Sequence, residues 1–199
     1  GLCQREELVA ATVDATLGDL PVLGGSAGDG LRFGQTYVAM DGESHPESAV
    51  FCLVSSVFPI EEVVFDHFTP SGERMVVTDA IPERRLFLTL NAETAAEEYA
   101  RLIGVAPADL GPRAFAENPL LMRQGGRHVV RAIQAIEPGG GLLMMSSVEP
   151  GTAMTIGRPS SLTGGLEARM NGLGRIALIL GFDCILRRIA LEQAGLSEA

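Results

Sequence analysis

The sequence predicts an α/β chain of the α+β type. It reads as two lobes with largely antiparallel or mixed sheets flanked by helices. Three observations point there. Short apolar runs recur about every ten residues with turn signals between them, the spacing of an antiparallel meander. Helical periodicity is confined to residues 6–17, 94–103 and 185–194. Residues 105–120 carry Pro107, Gly111, Pro112 and Pro119 and lose all periodicity, so the lobes divide as 1–104 and 105–199.

Each element has its own warrant. Leu8, Val9, Thr12, Val13 and Leu17 fall near one helical face, and Gly18 stops that helix; it is expected to pack on a sheet. Residues 35–40 alternate and precede the turn dipeptide Asp41-Gly42. Residues 49–54 read as a buried strand and 62–68 as the next, with Thr69-Pro70-Ser71-Gly72 turning the chain. Strands follow at 74–78 and 85–90. Thr94 and Glu97 form a capping-box pattern ahead of a helix that Gly104 ends. In the second half, strands are predicted at 127–136, 142–148, 152–156 and 176–182, with a terminal helix at 185–194. Residues 160–174 take no assignment.

Composition narrows the function classes. The chain has 199 residues, 46% of them hydrophobic, enough for a sizeable core. It carries 15 basic residues, all arginine, against 25 acidic ones, for a formal charge of −10. That balance opposes nucleic acid and anionic membranes as partners. Lysine-dependent catalysis is excluded, and nothing marks a nucleophile elbow, so the chain reads as a non-enzyme. No apolar run is long enough to span a bilayer, and the first residues lack a secretory pattern. Cys3, Cys52 and Cys184 are widely spaced and form neither a disulfide set nor a metal spacing. A reducing, cytoplasmic setting is expected.

Several residues are candidates for chemistry. Gly24-Gly25-Ser26-Ala27-Gly28-Asp29-Gly30 is a glycine loop, either a structural turn or a cradle of N–H groups for a polar ligand. It lacks the lysine of a P-loop and the spacing of a dinucleotide fingerprint. His67 lies in an apolar strand between Phe65 and Phe68. It is either a strand histidine with an ordinary hydrogen bond or an iron ligand with apolar walls. His128 is the runner-up ligand, and His45 sits in a turn. Cys184 stands where an expected strand becomes a helix. It is expected to be buried as a small hydrophobe; the alternative is a thiolate favoured by the helix N-terminus and Arg187 or Arg188. Arg131 and Arg187, flanked by apolar residues, each need a carboxylate partner from the protein or from a ligand.

Taken in order, these stretches resemble the FIST domains. Leu20-Pro21-Val22-Leu23 with the glycine loop, and His67-Phe68-x-Pro70-x-Gly72, are similar to the end of the N-terminal half. Arg127-x-x-Val130-Arg131-Ala132-Ile133, Gly141-Leu142-Leu143, Pro150-Gly151-Thr152 and the run from Leu180 to Arg188 are similar to the C-terminal half. The resemblance implies a sensory signal-transduction domain, with a chain that starts inside the N-terminal half. Asp66-His67-Phe68 and Phe182-Asp183-Cys184 look most like the nitric-oxide-sensing, haem-binding branch. That branch implies haem b on His67, with Phe65 and Phe68 as pocket walls. It also implies a signalling partner such as a histidine kinase or diguanylate cyclase; a homodimer is compatible with it. Two alternatives stay open. One is a metal-free amino-acid sensor using Gly24, Gly25, Asp29, Arg131 and Arg187; the other is a thiol enzyme built on Cys184 with His67.

Overall fold

The first helix, α1 (Glu6–Leu17), ends where the chain predicts, with Gly18 at positive φ. A computed structural model describes the protein at residues 5–30, 32, 34–161 and 164–195. Contrary to expectation, α1 buries no residue, and Leu8 is 68% exposed. A two-strand hairpin follows, β1 (Tyr37–Met40) and β2 (Glu43–Pro46), turned at Asp41-Gly42 as predicted. Next come β3 (Phe68–Ile81), β4 (Leu86–Leu90), the short β5 (Glu93–Thr94), α2 (Ala95–Ile103) and α3 (Pro112–Glu117). Then β6 (Leu120–Gln124), β7 (Arg127–Arg131), β8 (Ile133–Ile136), β9 (Leu142–Met144) and β10 (Ala153–Pro159) complete the strands. Helices α4 (Gly164–Met170) and α5 (Ile185–Gln193) end the chain.

Helices and antiparallel sheets together make an α+β architecture, as the sequence predicts. The described chain divides into two compact units, Gly1–Phe65 with Leu166–Ala199, and Asp66–Gly165. Residues 105–120 run inside the second of these, and strands before and after them share one sheet.

That sheet runs in the order β7-β6-β10-β3-β4-β9-β8, with β5 paired to β4. Its two ends are consecutive in sequence, separated by Ala132 alone. The predicted strand 127–136 is therefore two strands at opposite ends of one sheet, and the sheet bends back on itself as a near-barrel. Its interior is filled by Met75, Val77, Phe87, Leu90, Leu120, Ile133, Leu142, Met144, Met154 and Ile156. The alternation of β3 and β10 selects these residues: Met75 and Val77, then Met154 and Ile156, point inward. Helix α2 adds Ala95, Ala96, Tyr99 and Leu102 to the same core. Each large side chain so buried contributes roughly 1.5–3 kcal/mol.

Local differences from the sequence reading have physical reasons. Thr69-Pro70-Ser71-Gly72 does not reverse the chain. It lies in β3, where Pro70 pairs with Gly157 and Arg74 with Thr155, so Ser71, Gly72 and Glu73 bulge opposite Ile156. Ser71 Oγ accepts the Glu73 N–H at 3.1 Å inside this bulge. Thr94 is the N-cap of α2 but makes no side-chain capping bond. Strand β6 is not predicted; its signal is Gly125-Gly126, both at positive φ in a two-residue hairpin turn between Gln124 and Arg127. Residues 49–54, 62–66 and 176–182 are not strands. Val54 is 61% exposed and Leu178 86%, because apolar alternation makes a strand only beside another strand. Strand β9 stops at Met144, short of Val148.

A polar cluster around the buried Glu98 ties α2 to β3. Asn91 Oδ1 accepts the Val76 N–H at 2.9 Å, and Asn91 Nδ2 donates to Glu98 Oε1 at 2.7 Å. Glu98, 4% exposed, also receives Arg101 Nε at 2.6 Å and Nη2 at 2.7 Å. The Arg101 bond holds the Glu98 carboxyl below the ordinary range against the opposing effect of burial. A lowered folded pKa stabilises above the unfolded value, about pH 4.3, and this is lost as pH falls through the folded value. Glu98→Gln should therefore cost about 1–3 kcal/mol at neutral pH. Its thermal midpoint should also fall less steeply in acid than that of the wild type. Parallel acid slopes for the two proteins would remove Glu98 as the linked group.

Candidate functional site

Helix α5 positions the densest cluster of predicted site residues. Cys184 is its N-cap, in extended backbone, and the Cys184 carbonyl accepts the Arg188 N–H at 3.0 Å. Asp183 sits one residue earlier. Its Oδ1 accepts the Cys184 N–H at 2.9 Å, and its Oδ2 accepts Arg187 Nη1 at 2.9 Å. Asp183 thus bridges the helix start to its first turn. The Arg187 side chain is only 13% exposed, and its guanidinium lies 4.6 Å from the Phe65 ring centroid. A carboxylate on one edge and an aromatic face below fix the plane of that cation.

The glycine loop lies in the same unit. Phe182 is the nearest neighbour of Gly25, where an added Cβ would stand 3.7 Å from the ring. Gly24 is exposed. Asp29 organises the end of the loop: its Oδ2 accepts the Gly34 N–H at 2.7 Å, and its carbonyl accepts Arg32 Nε at 2.9 Å. Leu31, Phe33 and Cys3 lie outside the described residues.

Cys184 corrects an expectation. It is exposed, as is Cys52, because no strand precedes α5 to cover it. Among the described residues, no group of three or more His, Cys, Asp or Glu is placed to hold a metal ion.

His67, Phe68 and Arg131 belong to the second unit. The His67 ring packs on Phe68 with centroids 4.1 Å apart, its Nε2 is buried, and its carbonyl accepts the Ser160 N–H at 2.7 Å. Phe68 opens β3 and is 9% exposed. Arg131 is half-buried, with Nη1 on the Val130 carbonyl at 3.2 Å and Nη2 on Gln124 Oε1 at 3.3 Å. Asp66 lies 3.9 Å from Arg127. So Phe65, Cys184 and Arg187 gather around α5, while His67, Phe68 and Arg131 are placed in the sheet unit.

Sequence reasoning did not find the Phe65–Arg187 stack. Its partners are far apart along the chain, and no spacing rule joins them.

Family comparison agrees with the motif order. The FIST N domain matches residues 1–93 and the FIST C domain residues 95–199, so the chain belongs to the FIST-domain family. FIST domains are signal-transduction sensor domains that bind small ligands. No curated protein and no solved structure matches the chain. No described helix is long and apolar enough to cross a membrane.

Exposure gives a direct test. Cys184 and Cys52 should both react with a soluble thiol reagent in the native protein, without denaturant. A Cys184 that labels only after unfolding would contradict its placement at the open start of α5.

Proposed function

We propose that this chain is a metal-free sensor that binds a small carboxylate-bearing molecule, such as an amino acid, beside α5. The observation that carries the reading is Arg187, nearly buried, stacked on Phe65 and oriented by Asp183. A guanidinium whose plane is fixed in this way is preorganised for carboxylate recognition, so exchanging or adding a ligand carboxylate there carries little ordering cost. Gly25 and Phe182 supply close backbone and an apolar wall in the same unit. Binding would bias the segments around α5 between two arrangements. A signalling enzyme such as a histidine kinase or diguanylate cyclase would read that bias.

Haem with nitric oxide is the second reading, favoured by the half-buried His67 set against Phe68. The Nε2 of His67 is buried, and Phe65, the other expected pocket wall, is engaged by Arg187.

The test is calorimetric titration of a panel of amino acids and small carboxylates. Arg187→Gln should weaken the best ligand by about tenfold or more, since a hydrogen bond to a charged group is worth about 1.5–3 kcal/mol. Arg187→Lys should recover only part of that loss. Equal affinity in wild type and Arg187→Gln would reject the site. A Soret band after haem addition that disappears in His67→Ala would replace the metal-free reading with the haem one.

A further inference from the structure

The chain passes between its two units twice, after Phe65 and after Gly165. Around the first passage, four consecutive residues each have their own partner. Phe65 is half-buried, with the Arg187 guanidinium 4.6 Å from its ring centroid. Asp66, where the sheet unit begins, faces Arg127 of β7 at 3.9 Å. The His67 carbonyl accepts the Ser160 N–H at 2.7 Å. Phe68 is buried and pairs with Pro159 at the end of the β3–β10 ladder.

A slack linker is exposed and rich in glycine, proline or polar residues. Residues 63–68 contain no glycine or proline, and of the six only Asp66 is exposed. The His67–Ser160 bond extends the ladder one step beyond the Phe68–Pro159 pair. Ser160 itself lies on the stretch that leads to the second passage. Asp66 alone therefore separates the ring under Arg187 from a residue bonded into the sheet. Peptide units are rigid, so a displacement of Phe65 is either absorbed by the dihedrals around Asp66 or passed to the His67–Ser160 bond. The Asp66–Arg127 pair is long and exposed and adds little; the ladder bond is the firm anchor.

We infer that residues 65–68 are the coupling element of the sensor, passing the state of Arg187 to the His67–Ser160 end of the β3–β10 ladder. The inference rests on the reading of Arg187 as the sensing cation. A ligand carboxylate that shifts the guanidinium on Phe65 changes the anchor at one end of a segment with a single residue of slack. The bond at its other end then opens more or less often, which is a change of population that a partner can read.

The experiment follows single-amide hydrogen exchange in the full chain by NMR. The Ser160 amide is the reporter. The Met144 amide, bonded to the Arg85 carbonyl at 2.8 Å in the sheet, is the reference. Phe65→Leu and Arg187→Gln each remove the cation–aromatic stack. In both, Ser160 should exchange about three- to tenfold faster while Met144 is unchanged. Arg188→Gln removes only the pair with Glu192 on the same helix and should leave Ser160 as in the wild type. Two glycines inserted between Phe65 and Asp66 supply slack, and in that chain neither stack variant should change Ser160. Should Arg187→Gln fail to fold, Phe65→Leu carries the same comparison. Ser160 unmoved by the stack variants, an equal change at Met144, or a response that survives the inserted glycines would overturn the coupling. The calorimetric panel of amino acids and small carboxylates separates this inference from the one beneath it. No ligand in that panel, with Ser160 responding to both variants, rejects the carboxylate reading and supports the coupling. A ligand lost in Arg187→Gln, with Ser160 unmoved, rejects the coupling and supports the site.

Discussion

A single residue, Ala132, imposes the main constraint on the sheet unit. It joins β7 to β8, which are the two ends of the same sheet, so the sheet must curl until its ends are one residue apart. The Ala132 carbonyl also accepts the Met145 N–H at 2.9 Å, tying the joint to the residue after β9. Once the sheet is curled, the inward faces of β3, β4, β9 and β10 converge, and only closely packed side chains can fill the space. Phe87, Leu90, Leu142 and Val77 do so with no exposure. Helix α2 completes the core with Tyr99, whose hydroxyl donates to the Asn118 carbonyl at 2.8 Å. Burial raises the Tyr99 pKa far above its ordinary value, so the phenol stays a donor.

A core filled in this way serves as a scaffold. The α5 cluster is built differently. Phe65, Asp183 and Arg187 meet through a cation–aromatic stack and an ion pair, with residues 49–57 and 176–182 of the same unit exposed and outside any strand. Few buried contacts mean low local stability, which suits segments that change arrangement on binding. Sensor function in this family is consistent with that division of labour.

How much of this was legible in the sequence follows from which rules act locally. The hairpin at Asp41-Gly42, helix α2 with its stop at Gly104, and the strand at Leu86–Leu90 follow from short-range periodicity and turn chemistry. The motif order was enough to place the chain in its family. Sheet closure was not legible, because no residue near Ala132 signals that β7 and β8 lie at opposite ends. Runs 49–54 and 176–182 misled because a buried-strand pattern states a preference for cover and does not supply the neighbouring strand. At the site, Arg187 and Cys184 were marked by their neighbours in α5. Exposure of Cys184 and the Phe65 contact depend on packing that spacing does not encode. Gly125-Gly126 was a readable hairpin signal, masked by the proline-rich stretch just before it.

The central claim is that stability resides in the curled sheet and that the sensing site is made from segments outside it. Peptide-resolved hydrogen exchange of the free protein tests this most directly. The account predicts the slowest amides in β3, β4 and β10, and exchange close to the unprotected rate across 49–57 and 176–182. Protection in those two segments equal to that of β3 would contradict it.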